Sequence, residues 1–392
     1  MIFLADADVV LPDRLISPAT VVVDGDRIID VLREAPARAP GDLYFDLRQH
    51  TIVPGFVDVH VHGVEGTDSL DGDHAVARIA SRLPRYGVTA FCPTSVACEP
   101  GALRTMLGAV RAARFNRAAG SSRVLPAHLE SNFINPEYRG AQPLECLRLP
   151  AGSGLEGSFT GEAILDEIAA ARPDVGIVTI APEVEGAIPL IRTLTAHGHH
   201  VSLGHSGASY EQALEGIDAG ARQATHLFNR MTPIGHRAPG LAGAVLEHDE
   251  VTAEIVCDGV HVHPTMVRVA IAAKSPSGIM AITDATAGAG LPPGSRAALG
   301  GRNIIVRDAA YLDDGTLAGS VLTMNRAFAL LVNVMGLSPV DAATVCSTTP
   351  ARALGLQGFG VITAGAFADL TVLASDFTVT QTWIAGELVF SR

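Results

Sequence analysis

Val53-Pro-Gly-Phe-Val-Asp-Val-His-Val-His-Gly63 is the stretch on which the fold turns. Within it, Phe56-Val-Asp-Val-His60 is a short apolar, β-branched run of the kind that forms a buried strand, and it ends in the pair His60 and His62. Seven comparable runs follow: Val88–Cys92, Val124–Leu129, Gly176–Ile180, Val201–Leu203, Gln223–Thr225, Thr252–Val256 and Ile279–Ile282. Longer Ala/Leu/Arg stretches with helical spacing lie between them, at 75–86, 102–118, 161–171, 186–197, 210–219 and 264–273. Strands alternating with helices predict an α/β fold, a (β/α)8 TIM-like barrel. A doubly wound open sheet is the runner-up. It is weakened because no G-x-G-x-x-G follows a first strand and no Walker loop is present.

Working outward, both ends of the chain are rich in strand signals and poor in helix. Ala19–Asp24, the turn Gly25-Asp26 and Arg27–Leu32 read as a hairpin. Gly360-Val-Ile, Ala368–Ala374 and Thr382–Phe390 read as further strands. The expectation is a small β-sandwich domain built from residues 1–53 plus 356–392, with the barrel over 54–355. A β-hairpin insertion at about 299–320 interrupts the barrel after its eighth strand.

Composition narrows the functions. The chain has 392 residues, 48% hydrophobic and 18% charged, enough for a packed core. A formal charge of −13 argues against a general nucleic-acid or anionic-membrane surface. No apolar run reaches the ~18 residues of a membrane span, and the start, with early acidic residues and no basic region, does not read as a signal peptide. Five scattered cysteines without a C-x-x-C suit a reducing cytosol, so a cytoplasmic location is expected.

Polar residues gather just past the expected strand ends: His60 and His62, His128-Leu-Glu130, His205, His226, Asp258 with His261, and Asp284. Alone, each has an ordinary reading. His-x-His is two residues on one strand face; His205 or His226 could be a hydrogen-bonded core or rim histidine. Asp284 could cap a helix, and Glu130 could be a solvated carboxylate. Together they converge on the barrel face where active sites lie. Burying so many imidazoles and carboxylates in one place is costly unless a cation organises them. The donor set, without cysteine, suits Zn²⁺ and also Fe²⁺, Mn²⁺ or Co²⁺. Glu130, His205 and His226 would hold a catalytic metal, and Asp284 would move the proton.

These residues resemble the amidohydrolase superfamily, and within it the N-acetylglucosamine-6-phosphate deacetylase family, over nearly the whole length. The opening stretch marks the superfamily. Ala224-Thr-His-Leu-Phe-Asn229, Arg237-Ala-Pro-Gly-Leu-Ala-Gly243 and Asp258-Gly-Val-His261 point to the deacetylase branch, and the resemblance also takes in Ile282-Thr-Asp-Ala-Thr286 and Thr316-Leu-Ala-Gly-Ser320. The resemblance implies removal of an N-acetyl group from an amino sugar phosphate. It implies Glu130, His205 and His226 as primary metal ligands, His60 and His62 as a pair for a second ion, and Asp284 as catalytic acid/base. His261, Asn229, Arg230, Gln142, Ser131 and Leu317 become candidate substrate contacts. Arg237 matches an arginine that reaches a neighbouring subunit's phosphate, which implies a homodimer.

The single lysine, Lys274, falls on a helix, and the fourth strand runs into Thr179-Ile-Ala-Pro-Glu183. A carboxylated lysine bridging two metals is thereby disfavoured, which leaves Glu130 as the bridging carboxylate. Two departures bear on specificity: Ser131-Asn132 replaces the family's usual Gly-Pro, and Gln142 replaces a substrate-facing histidine. An amide can donate a hydrogen bond but cannot relay a proton. The alternatives are an N-acyl hydrolase for another hexosamine or an N-acyl amino acid, and an inactive binding protein of the same fold.

Overall fold

The computed structural model describes residues 1–34, 39–151 and 158–392. Eight parallel strands form the barrel: Phe56–Val61, Val88–Ser95, Ala127–Leu129, Val175–Ile180, His200–Leu203, Gln223–Ala224, Thr252–Val256 and Ile279–Ile282. Each pairs in parallel with the next, and register partners such as Val178↔Val201 and Ile255↔Ala281 keep the strand ends level. The third strand is split from Arg123–Val124, because Pro126 has no N–H to give the ladder. Helices such as Pro100–Phe115, Gly161–Ala170 and Tyr210–Asp218 cover the outside. Ser209 and Gln212 cap the last of these reciprocally.

Closure between the eighth and first strands uses side chains as well as backbone. The Asp284 N–H donates to the His60 carbonyl (3.0 Å) and the Gly63 N–H to the Ala285 carbonyl (2.9 Å). The Thr283 hydroxyl donates to Asp58 Oδ2 at 2.6 Å, inside the barrel wall. Burial pushes the Asp58 carboxyl up to about 7, with the Thr283 and His60 hydrogen bonds pulling against it.

The chain termini share one sheet. Leu370–Leu373 pairs antiparallel with Thr51–Pro54, which runs parallel to Ile2–Val10; Leu15–Asp24 and Arg27–Leu32 complete the expected hairpin. Leu4, Val21, Ile52, Leu370 and Trp383 pack into their own apolar cluster, and Phe45 meets Trp383 edge-on at 4.9 Å. The observed fold class is therefore the barrel with a β unit from both termini.

Three details differ from expectation. Gly360–Ile362 is not a strand, and Thr382–Phe390 is not one strand but parts of Val379–Ile384 and Glu387–Ser391. Ala385 and Gly386, at φ 53° and 73°, turn the chain between them. The insertion after the eighth strand is a three-stranded meander, Arg296–Leu299, Arg302–Val306 and Ala310–Leu312, which begins before residue 299. Gly300 and Gly301 both take positive φ, which makes its first tight turn.

Thr283→Val removes the hydroxyl and leaves Asp58 Oδ2 without its shortest partner. The expected loss is about 1–3 kcal/mol of unfolding free energy, measured by chemical denaturation. An unchanged midpoint and slope would show that Asp58 does not help to lock the barrel.

Candidate active site

Strand ends deliver the polar residues to one mouth. His205 Nε2 and His226 Nε2 each lie 2.8 Å from Glu130 Oε1 and 3.0 Å from one another. His62 Nε2 is 3.4 Å from Glu130 Oε2 and 3.3 Å from Asp284 Oδ1. His60 Nε2 sits 3.2 Å from His62 Nε2 and 3.5 Å from Asp284 Oδ1. All six groups are buried. Glu130 thus meets His205 and His226 with Oε1, which also lies 3.9 Å from His60 Nε2, and meets His62 with Oε2.

The backbone at these positions is strained. His205, His226 and Asp284 have φ of 48°, 31° and 49°, a left-handed region that non-glycine residues seldom occupy. Such strain persists where the surroundings over-determine it, and it clusters at functional sites. Gly204 is part of that enforcement, since a Cβ there would come within 2.7 Å of Thr225 Cβ. Gly319, at φ 61°, lets Thr316–Ser320 lie against Asp284, and the Ser320 N–H donates to the Asp284 carbonyl at 2.7 Å.

The electrostatics ask for positive charge. Burial alone would raise Glu130, but His205, His226 and His62 outweigh it and hold its carboxyl well below the usual range. Asp284 is lowered against its burial by His60 and His62. Burial works against a charged His62, yet Asp284 and Glu130 hold its pKa up at about 10; Glu130 likewise raises the buried His226 to about 8. Protons on these rings stand where a cation would serve. Two Nε2 atoms facing each other at 3.0 Å across one carboxylate oxygen can share one proton, but a cation satisfies all three lone pairs together. Ligand atoms around a tetrahedral ion at about 2.0–2.1 Å lie roughly 3.3 Å apart, close to the spacing seen. Glu130, His205 and His226 form one such group, and His60, His62 and Glu130 another. The residues present therefore fit one or two divalent cations.

Around this centre the cavity is lined by Gln142, Asn229, Arg230, His261 and Leu317. His261 Nδ1 is paired with Asp258 Oδ2 at 2.6 Å, which leaves Nε2 for the cavity. Gln142 accepts from the Ala97 N–H (2.7 Å) and donates to Glu130 Oε2, so its amide orientation is fixed. Its remaining N–H has no partner among the described residues. Ser131 does not line the cavity: its buried hydroxyl donates to the Thr179 carbonyl and accepts from the Phe133 N–H. Arg237 is exposed and also outside the lining. Lys274 donates to the Val245 and His248 carbonyls, on another part of the barrel wall. A larger cavity opens elsewhere, beside Arg114, Pro173, His197 and Leu354, but it holds none of the ligand cluster.

A model of the amidohydrolase family matches residues 51–389. The chain belongs to the amidohydrolase family. It is 34% identical to an N-acetylglucosamine-6-phosphate deacetylase of Bacillus subtilis over 99% of this chain and 97% of that protein. It is 35% identical to an N-acetylgalactosamine-6-phosphate deacetylase of Escherichia coli O157:H7 over 86% and 87% of the two chains. The structure of a mutant N-acetyl-D-glucosamine-6-phosphate deacetylase from Mycobacterium smegmatis, in complex with N-acetyl-D-glucosamine-6-phosphate, superposes with a TM-score of 0.89. That structure is 34% identical in sequence, and the match covers 100% of this chain and 99% of that one.

Of the buried partners of this amidohydrolase's site, Glu254 escaped the sequence reading, and His128 was placed at a strand end without a role. Glu254 approaches His60 Nδ1 at 3.0 Å, and the His128 ring spans the Val59 carbonyl and the Thr179 hydroxyl. The signal for Glu254 was a carboxylate in the middle of the apolar run Thr252–Val256.

His205→Ala should lower bound transition metal per chain by at least tenfold, read by mass spectrometry of the dialysed protein, while the circular dichroism is retained. Undiminished metal would remove His205 from the ligand set.

Proposed function

We propose that this amidohydrolase removes the acetyl group from an N-acetylated amino sugar 6-phosphate, in the first place N-acetyl-D-glucosamine 6-phosphate, to give acetate and D-glucosamine 6-phosphate. One observation carries the reading: the Glu130–His205–His226 group and Asp284 share a cavity with His261, Asn229 and Arg230. The names of the full-length relatives supply the substrate class. The inactive-protein reading is not favoured, because Glu130, His205, His226 and Asp284 line one cavity.

Glu130, His205 and His226 would hold the metal, with zinc expected ahead of iron, manganese or cobalt and a second ion able to sit beside His60 and His62. When bound, the ion lowers the pKa of a water towards ~7 and polarises the acetyl carbonyl. Asp284 Oδ1 accepts the proton as the water attacks and returns it to the nitrogen when the C–N bond breaks, so the amine leaves neutral. His261, oriented by Asp258, and the free N–H of Gln142 fix the acyl group and sugar. Asn229 lies beside the exposed Arg230, whose guanidinium makes no ion pair among the described residues and suits the phosphate. Arg237, exposed outside the cavity, would serve a partner subunit's phosphate in a homodimer. The five cysteines are buried and free, which suits a cytoplasmic enzyme.

A second substrate has its own support. One relative is named for N-acetylgalactosamine-6-phosphate, which makes the C4 epimer a competitor.

Turnover of N-acetylglucosamine 6-phosphate, its galacto epimer and unphosphorylated N-acetylglucosamine tests the assignment. The phosphorylated sugars should exceed the free sugar in kcat/KM by more than a hundredfold; equal values would sink the phosphate reading. Asp284→Asn should lower kcat by about 10²–10⁴-fold, the usual worth of a positioned acid/base, and near-full activity would contradict its role. Arg237→Ala should raise KM for the phosphorylated sugar with little change in kcat, and an unchanged KM would place the phosphate elsewhere.

A further inference from the structure

We infer that Glu254 is a positioning residue that prepares the second cation site by fixing the tautomer of His60; this rests on the metal-centre reading above. Glu254 projects from the middle of the seventh strand and is wholly buried. Its Oε2 lies 3.0 Å from His60 Nδ1, on the side of the ring opposite Asp284 and His62. His60 is itself fully buried. Glu254 Oε2 is placed to accept from Nδ1–H, an arrangement that puts the ring proton on Nδ1 and leaves a lone pair on Nε2. That lone pair is directed at the space shared with His62, Glu130 and Asp284. A ligating histidine is commonly held this way by a carboxylate behind it, which fixes the ring and raises its basicity.

Glu254 Oε1 also lies 3.7 Å from His128 Nδ1, but among the expected cation ligands its side-chain contact is to His60. His205 Nδ1 has a different anchor, the Tyr138 carbonyl at 2.8 Å, and His226 meets Glu254 only through a 3.4 Å contact from its backbone N–H. Losing the Glu254 carboxylate therefore leaves the Glu130–His205–His226 group intact and removes the anchor of His60. His128 cannot replace it, because its Nδ1 is taken by the Val59 carbonyl.

Titration of metal-depleted protein with Co²⁺, followed by visible absorption and by bound metal per chain, tests the proposal. Wild type is expected to take up two ions. Glu254→Met, of similar volume, should retain the first with unchanged affinity and weaken the second by about 10–100-fold. Glu254→Gln, whose amide oxygen can still accept from Nδ1–H, should recover most of that loss. Two ions of unaltered affinity in folded Glu254→Met, or a single ion in wild type, overturn the proposal; no ion in wild type sinks the functional reading itself. Should the variants misfold, ¹⁵N histidine spectra of the wild-type holoenzyme decide: a proton on His60 Nδ1 supports the proposal, and one on Nε2 overturns it.

Discussion

Glu130 organises the molecule's polar interior. Its two oxygens face two sets of imidazoles that come from the first, fifth and sixth strands. Without an acid at that point, His205 and His226 would be buried side by side with no carboxylate partner among the described residues. With it and Asp284, protons are held on His62 and His226, and a cation would stand in for those protons. The barrel supplies the geometry, since parallel strands of matched register bring residues 60 and 284 to the same height although 224 positions separate them.

The carboxylates are graded by surroundings. Imidazoles hold Glu130 and Asp284 below the usual range, while burial outweighs the partners of Asp58 and Glu254 and pushes each up to about 7. The raised pair serves construction: Asp58 ties the eighth strand to the first, and Glu254 stands behind His60. The lowered pair faces the cavity. One element type therefore carries both functions, and surroundings separate them.

The barrel was legible because its strands are short apolar runs with period-independent burial, and because their polar ends carry the chemistry. Glu130, His205, His226 and Asp284 could be picked out by position alone. Ser131 could not be judged that way: whether a hydroxyl faces a cavity or a neighbouring carbonyl depends on one local backbone turn. Glu254 escapes such a reading because a carboxylate inside a strand passes for part of the run, although burial there demands a partner. The second turn in the C-terminal hairpin was hidden because Ala385 adopts a left-handed backbone that its side chain does not advertise. The deacetylase branch came from resemblance, and no periodicity or charge count would have reached it.

The central claim is that three residues far apart in the chain grip one cation. Anomalous diffraction at the zinc absorption edge, from crystals of the protein grown with zinc, tests it most directly. The account predicts a strong peak between Glu130, His205 and His226, within bonding distance of all three. Zinc elsewhere in the crystal with no peak between those three side chains would contradict it.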